Sequence, residues 1–341
     1  MGDRLMVGSL SGRPETLFTC PEWLLHDVDL SSGSATLLRL SEAEYRAASF
    51  LDQRVEQRNR ARQVNALAHL EPPAGTRGDV QYIFHIGHVG STLLARLLGE
   101  VPGLFSIREP LVLRTLAALG ESARESLLPA VTALLSRTFR PADRALVKAT
   151  SFVSEIAPEL VPAGSATLMM YAKLPNYMCG ILAGEASRQE LAALHASRAA
   201  RLAVRVPGLD AALATGEARQ AALAWACEMT SLEAAAAALP ANAVAWLDFD
   251  RFLADPAWLL GEAARLFGAV LLAAEAEALA AGPLMNRYSK APEHAYSPAL
   301  RQALLREAAA RHRAEIADAL GWLAAAAPSN PLLARALSRG R

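Results

Sequence analysis

Residues 82–98 read Y-I-F-H-I-G-H-V-G-S-T-L-L-A-R-L-L, and this run restricts the folds open to the chain more than any other. Its opening is mostly apolar and β-prone. Gly87 and Gly90 then bracket a tight bend, Ser91 and Thr92 follow, and Leu93, Leu94, Leu97, Leu98 and Val101 recur at helical spacing. The order is strand, glycine turn, helix. Such a turn aims several backbone N–H groups at one point and adds the positive end of a helix dipole. It is a socket for an anion such as phosphate or sulfate.

The rest of the chain makes that socket a local feature. The 341 residues are 52% hydrophobic and carry no net charge. A chain of this length holds one large domain or two modest ones. Neutrality gives no general attraction to nucleic acid or an anionic membrane, so neither is expected as a partner. Cys20, Cys179 and Cys227 are few and far apart, form no metal-binding pattern, and suit a reducing, cytoplasmic setting. No signal-peptide pattern opens the chain, and the alanine-rich runs are too short to span a membrane.

Strand-like and helix-like segments alternate from the first glycine turn onward. Strands are expected at residues 81–86, 104–108, 145–149, 166–171 and 243–249, with helices between them. The helix over 111–139 should be interrupted near Gly120 and Pro129, and a single long helix should run over 298–326. Residues 1–75 read as an accessory segment, β-like at 35–40 and helical over 42–70, closed by a Pro/Gly linker. Residues 331–341 read as a flexible tail, leaving 76–330 as the main domain. Alternation of this kind implies an α/β fold with three layers, a central parallel sheet flanked by helices. Ligands of such sheets bind beyond the carboxyl ends of the strands, which gathers Gly87–Thr92, Glu109, Lys148 and Lys173 at one rim.

The turn lacks the nucleotide-kinase pattern G-x-x-x-x-G-K followed by Ser or Thr: no lysine precedes Ser91. It resembles instead the donor loop of the sulfotransferase superfamily, a P-loop-like group. The likeness is to bacterial sulfotransferase-like proteins that carry F-H-x-G-x-x-x-S-T-L-L-A-R, here residues 84–96. His88 stands where the family usually has Lys or Arg, Val89 replaces a small hydroxyl residue, and Gly90, Ser91 and Thr92 match. Further similar stretches are L-F-S-I-R-E-P at 104–110, A-L-V-K-A-T-S at 145–151, the segment 168–180, W-L-D-F-D-R-F-L-A-D-P at 246–256 and R-Y-S-K-A-P at 287–292. The likeness covers roughly residues 80–325. It departs after Lys173, where Met178-Cys179-Gly180 supplies no serine for a 3′-phosphate.

The resemblance implies 3′-phosphoadenosine 5′-phosphosulfate as co-substrate, no metal, and a hydroxyl or amine acceptor. Sulfuryl transfer asks for three things. The leaving 5′-phosphate must be held, by the amides of Gly87, His88, Val89, Gly90, Ser91 and Thr92, the hydroxyls of Ser91 and Thr92, His88 and Lys148. A base must take the acceptor's proton, Glu109 first and His88 second. Cations must select the 3′-phosphate: Lys173, Arg287 and Lys290. Each has a plainer reading. Glu109 can close a strand or pair with Arg108, Lys148 and Lys173 can be surface lysines, and the 287–290 loop can be a connector. His85 reads as a core histidine, and Arg188, Arg198, Arg201 and Arg205 as helix-surface charge. Two other functions share the scaffold: a small-molecule kinase using ATP, with Asp248 as the one tempting magnesium ligand, and a noncatalytic nucleotide-binding protein.

Overall fold

Two sheets organise the computed structural model, which describes residues 14–56, 60–287 and 297–340. The first is antiparallel, in the order β1 (Trp23–Asp29), β2 (Ser34–Arg39), β3 (Arg62–Ala66). The second has five parallel strands: β4 (Gln81–His85), β5 (Leu104–Arg108), β6 (Arg144–Lys148), β7 (Thr167–Tyr171) and β8 (Val244–Asp248). Their order is β5-β6-β4-β7-β8. Every residue of β4 and β5 is buried, as continuous apolar runs require when helices cover a parallel sheet.

This order sets the site. The chain leaves central β4 for β5 at one edge, returns to β6 beside β4, then crosses to β7 and β8 on the other side. Beyond the carboxyl ends of such strands the connections diverge and leave a crevice. Register puts Arg108 level with Lys148, Lys148 level with Ile83, and Tyr171 level with Asp248. The residues just past these points form one rim.

The N-terminal segment is built into the main body rather than appended to it. The Leu51 amide donates to the Arg108 carbonyl at 2.7 Å, and the Leu111 amide donates to Leu51 at 3.3 Å, so residue 51 extends the pairing of β5. Buried Arg108 donates to the carbonyls of Tyr45, Arg46 and Ala48, capping the Glu42–Ala47 helix. Buried Arg137 does the same for Leu17, Cys20 and Trp23. Apolar residues of both regions share one core.

Several elements differ from expectation. Residues 42–70 do not form one helix. A capping box of Ser41 and Glu44 starts Glu42–Ala47, but Ala48 is extended, and the chain turns to pair Leu51 with β5 and β3 with β2. The expected break at Pro129 is absent, because Glu121–Leu135 runs through it; Glu125, whose carbonyl loses its usual partner, faces water. The expected 298–326 helix is two, Pro298–Arg311 and Arg313–Ala326, parted at His312 with φ −110° and ψ 26°. Residues 331–339 are not a frayed tail. Pro331–Arg339 is helical, Leu333 and Ala336 are buried, and the Gly340 carbonyl accepts the Leu174 amide at 3.1 Å. No helix among the described residues is long and apolar enough to cross a membrane.

Candidate functional site

The glycine turn after β4 is held from beneath. The Gly87 amide donates to His85 Nδ1 at 2.9 Å, so the His85 proton sits on Nε2 and donates to the Ala149 carbonyl at 2.8 Å. His85 is thus the core histidine its place in the strand implies, and it ties the turn to β6. The Gly87 amide is spent in the process. Gly87, His88 and Gly90 have φ of +79°, +54° and +63°, and the Ser91–Leu98 helix begins after Gly90. Among the described residues, the amides of Gly90, Ser91 and Thr92 have no protein acceptor. The buried Thr92 Oγ1 has no partner either. The first amides of a helix have no intrahelical partner, so a group with acceptor oxygens can bind there. Val89 is fully buried, so its side chain holds the turn down.

Glycine is required at 90 by more than its dihedral. A Cβ there would lie 2.0 Å from the Phe249 ring, which follows β8. Arg301 lies over that ring, 4.9 Å from its centre, and donates to Asp250 at 2.9 Å. Arg301 is a cation close to the turn that the sequence did not single out. It comes from the Pro298–Arg311 helix, packed on the Leu174–Ala183 helix, and no local pattern marks it.

The second feature lies two strands away. Glu109 has φ +49°, and with His88 it makes the two non-glycine residues of positive φ among those described. Strain of this kind gathers where structure serves a ligand or reaction. The Glu109 carboxylate pairs with the Lys148 ammonium, both buried, and its second oxygen is 3.5 Å from Thr150 Oγ1. Glu109 therefore pairs with Lys148, not with Arg108. The Phe50 ring lies 5.6 Å from Lys148 Nζ and roofs the pair from the N-terminal segment. Neither Phe50 nor its neighbours Asp52 and Arg54 were legible as site residues.

The other candidates scatter. His88 Nε2 is 3.2 Å from Glu190 Oε1. Behind Glu190 runs a network: Arg198 lies 3.8 Å from Glu190 and 3.5 Å from Glu228, and Arg201 and Arg205 share Glu155. All four arginines expected as helix-surface charge are thus tied into ion pairs, Arg188 with Glu217 at 3.3 Å, and Arg198 is buried. Burial opposes the Arg201 charge, but buried Glu228 outweighs it and raises its pKa. Burial also raises the Tyr177 pKa; its hydroxyl is unpartnered and feels Arg198, Glu228 and Glu190. Lys173 is exposed at the start of the Leu174–Ala183 helix, and Arg287 is exposed too. Lys290 lies outside the described residues. Asp248 accepts the Asp250 amide at 3.0 Å as a helix cap, and burial raises its pKa. No cluster of three or more His, Cys, Asp or Glu fit for a metal occurs among the described residues.

No family model matches the chain, and no curated protein matches it. Among solved structures the chain is similar to the sulfotransferase domain from the curacin biosynthetic pathway. Identity is 13% and the TM-score 0.38, over 67% of this chain and 89% of that one. A likeness at this level leaves function to the residues themselves.

Proposed function

We propose that the chain is a sulfotransferase, moving a sulfuryl group from 3′-phosphoadenosine 5′-phosphosulfate to a hydroxyl or amine acceptor. One observation carries the reading. The open amides of Gly90, Ser91 and Thr92 share a sheet rim with a buried carboxylate–ammonium pair, Glu109 and Lys148. The first is built for an anionic group, and the second supplies a base and a cation within the same crevice. The sequence resemblance of the glycine turn supports 3′-phosphoadenosine 5′-phosphosulfate as the donor.

In this reading the acceptor oxygen or nitrogen attacks sulfur, and the bond from sulfur to the bridging oxygen of the 5′-phosphate breaks. Negative charge grows on that phosphate. The amides at 90–92, Ser91, Thr92, His88 and Lys148 hold it, and positioning and fixed dipoles do most of the work. Glu109 takes the acceptor's proton. Lys173 and Arg287 meet the 3′-phosphate, together with Lys290, and Arg301 adds positive charge behind the turn. The Val89 side chain packs beneath the cradle, and the Gly87 amide, spent on His85, does not donate to it. No metal enters the scheme.

The test is turnover with labelled donor and a mixed metabolite extract, alongside thermal shift. Adenosine 3′,5′-bisphosphate should stabilise the protein strongly, as a ligand of the folded state alone does, and Mg·ATP should not. Stabilisation by Mg·ATP alone would move the reading to a kinase. Binding of the bisphosphate with no labelled product from any extract would leave a noncatalytic binding protein.

A further inference from the structure

The charges around Glu109 extend past Lys148 to a group that the donor does not need. The Arg54 guanidinium lies 3.5 Å from the centre of the Phe50 ring, and Lys148 Nζ lies 5.6 Å from the same ring. Arg54 holds Asp52 with two hydrogen bonds, from Nε at 2.7 Å and from Nη2 at 2.5 Å. Arg114 comes from the first turn of the Leu111–Ala118 helix, which opens just after Glu109 and Pro110. It approaches the same Asp52 carboxylate only to 4.0 Å, beyond hydrogen-bond distance. Its guanidinium lies 6.0 Å from the centre of the Phe152 ring. Among the described residues no side-chain or backbone oxygen accepts a hydrogen bond from Arg114. Lys148 neutralises Glu109, and Arg54 neutralises Asp52, so the Arg114 charge is the one left over in this group. Arg114 and Phe152 are only half-buried, so solutes reach both.

We infer that Arg114 and Phe152 form an acceptor subsite, and that the acceptor is a hydroxyl compound with an apolar body and an anionic group such as a carboxylate. This rests on the sulfotransferase reading and adds to it the class of the acceptor. Both residues are tied to the base through the chain. Arg114 follows Glu109 through the start of one helix, and Phe152 follows Thr150, whose Oγ1 is 3.5 Å from the second Glu109 oxygen. The apolar body lies along the Phe152 ring, and the anion meets the planar fork of Arg114, which suits a carboxylate. The hydroxyl turns toward Glu109. A helical turn rises about 5.4 Å, so roughly one aromatic ring separates the anion from the reacting oxygen. Because Arg54 holds Asp52, that carboxylate does not close on Arg114 and compete with the acceptor. An uncharged alcohol of the same shape would gain the ring contact and forgo the charge-assisted bonds, so affinity separates the two classes.

Two probes of one shape and different charge test this: 4-hydroxybenzoate and its uncharged counterpart 4-hydroxybenzamide. Each is titrated by calorimetry into protein saturated with adenosine 3′,5′-bisphosphate, for wild type, Arg114→Gln and Phe152→Ala. Wild type should bind the acid about tenfold more tightly than the amide. Arg114→Gln should bind the two equally. Phe152→Ala should weaken both by about the same factor. No preference for the acid in wild type, a preference that survives Arg114→Gln, or failure of both probes to bind overturns the subsite. Undiminished binding by Phe152→Ala overturns the role of the ring. The wild-type comparison decides the charge of the acceptor even if a variant fails to fold. If wild type does not bind the bisphosphate, the proposed function falls and the subsite with it. If the bisphosphate binds and the acid gains nothing over the amide, the subsite alone is lost.

Discussion

Gly90 is glycine for two independent reasons: a left-handed backbone at φ +63°, and a Phe249 ring carbon 2.0 Å from where Cβ would stand. Gly87 shares the first reason, at φ +79°, but has open space around it. The two alanine variants should therefore separate. Gly87→Ala should cost about 1–2 kcal/mol of backbone strain, and Gly90→Ala about 2–4 kcal/mol, the steric term added. Denaturant unfolding measures both; equal costs would place Phe249 elsewhere. Glu109→Gln should lower kcat by about a hundredfold or more, the usual worth of a positioned base. Near-full turnover would assign the proton to another group. The sequence pointed to both Glu109 and Lys148 but not to their union, because they are 39 positions apart and meet only through the β5–β6 register. The nearer partner, Arg108, was the natural guess. Successive side chains at a strand end point opposite ways, and Arg108 is taken by helix carbonyls.

The segment after the Glu42–Ala47 helix shows what periodicity misses. Its charged residues suit a helix, yet Leu51 gains backbone pairing with β5 and β3 gains it with β2, and those tertiary bonds override propensity. The following turn, Gln53–Val55, is capped by Asp52, whose carboxylate accepts the Arg54 amide and pairs with the Arg54 guanidinium. Burial opposes ionisation of Asp52, but the Arg54 hydrogen bonds and the charges of Arg54 and Arg114 outweigh it and lower its pKa from 3.8. A lowered carboxylate pKa adds stability above the unfolded value that is lost as pH falls through the folded one. Asp52→Asn should thus be less stable than wild type at neutral pH, with the gap in urea midpoint closing below pH 3.8. A gap that stays constant into acid would show that the charge contributes nothing. The Arg198 network was hidden for a similar reason. A helix wheel shows which residues share a face, not that the neighbouring Glu217–Ala238 helix brings a buried Glu228 to meet them.

At the level of the molecule, the alternation of apolar strands with amphipathic helices was enough to read a parallel α/β sheet. The order of its strands was not legible, because it depends on which crossover goes to which side. Nor was the merging of the N-terminal segment and the Pro331–Arg339 helix into one core. That helix brings Arg335 and Arg339 to buried Glu233 and seats Leu333 in the interior. Ending the chain after Asn330 should strand the Glu233 charge and empty the Leu333 site, costing about 3 kcal/mol or more. A truncated protein as stable as the full chain would mean that the helix is dispensable. The account depends above all on the amides at the head of the Ser91–Leu98 helix receiving a donor phosphate. A crystal structure of the complex with adenosine 3′,5′-bisphosphate tests this most directly. It should place 5′-phosphate oxygens about 2.7–3.2 Å from the Gly90, Ser91 and Thr92 nitrogens. A nucleotide bound away from those nitrogens, or a cradle left empty at saturating ligand, would contradict it.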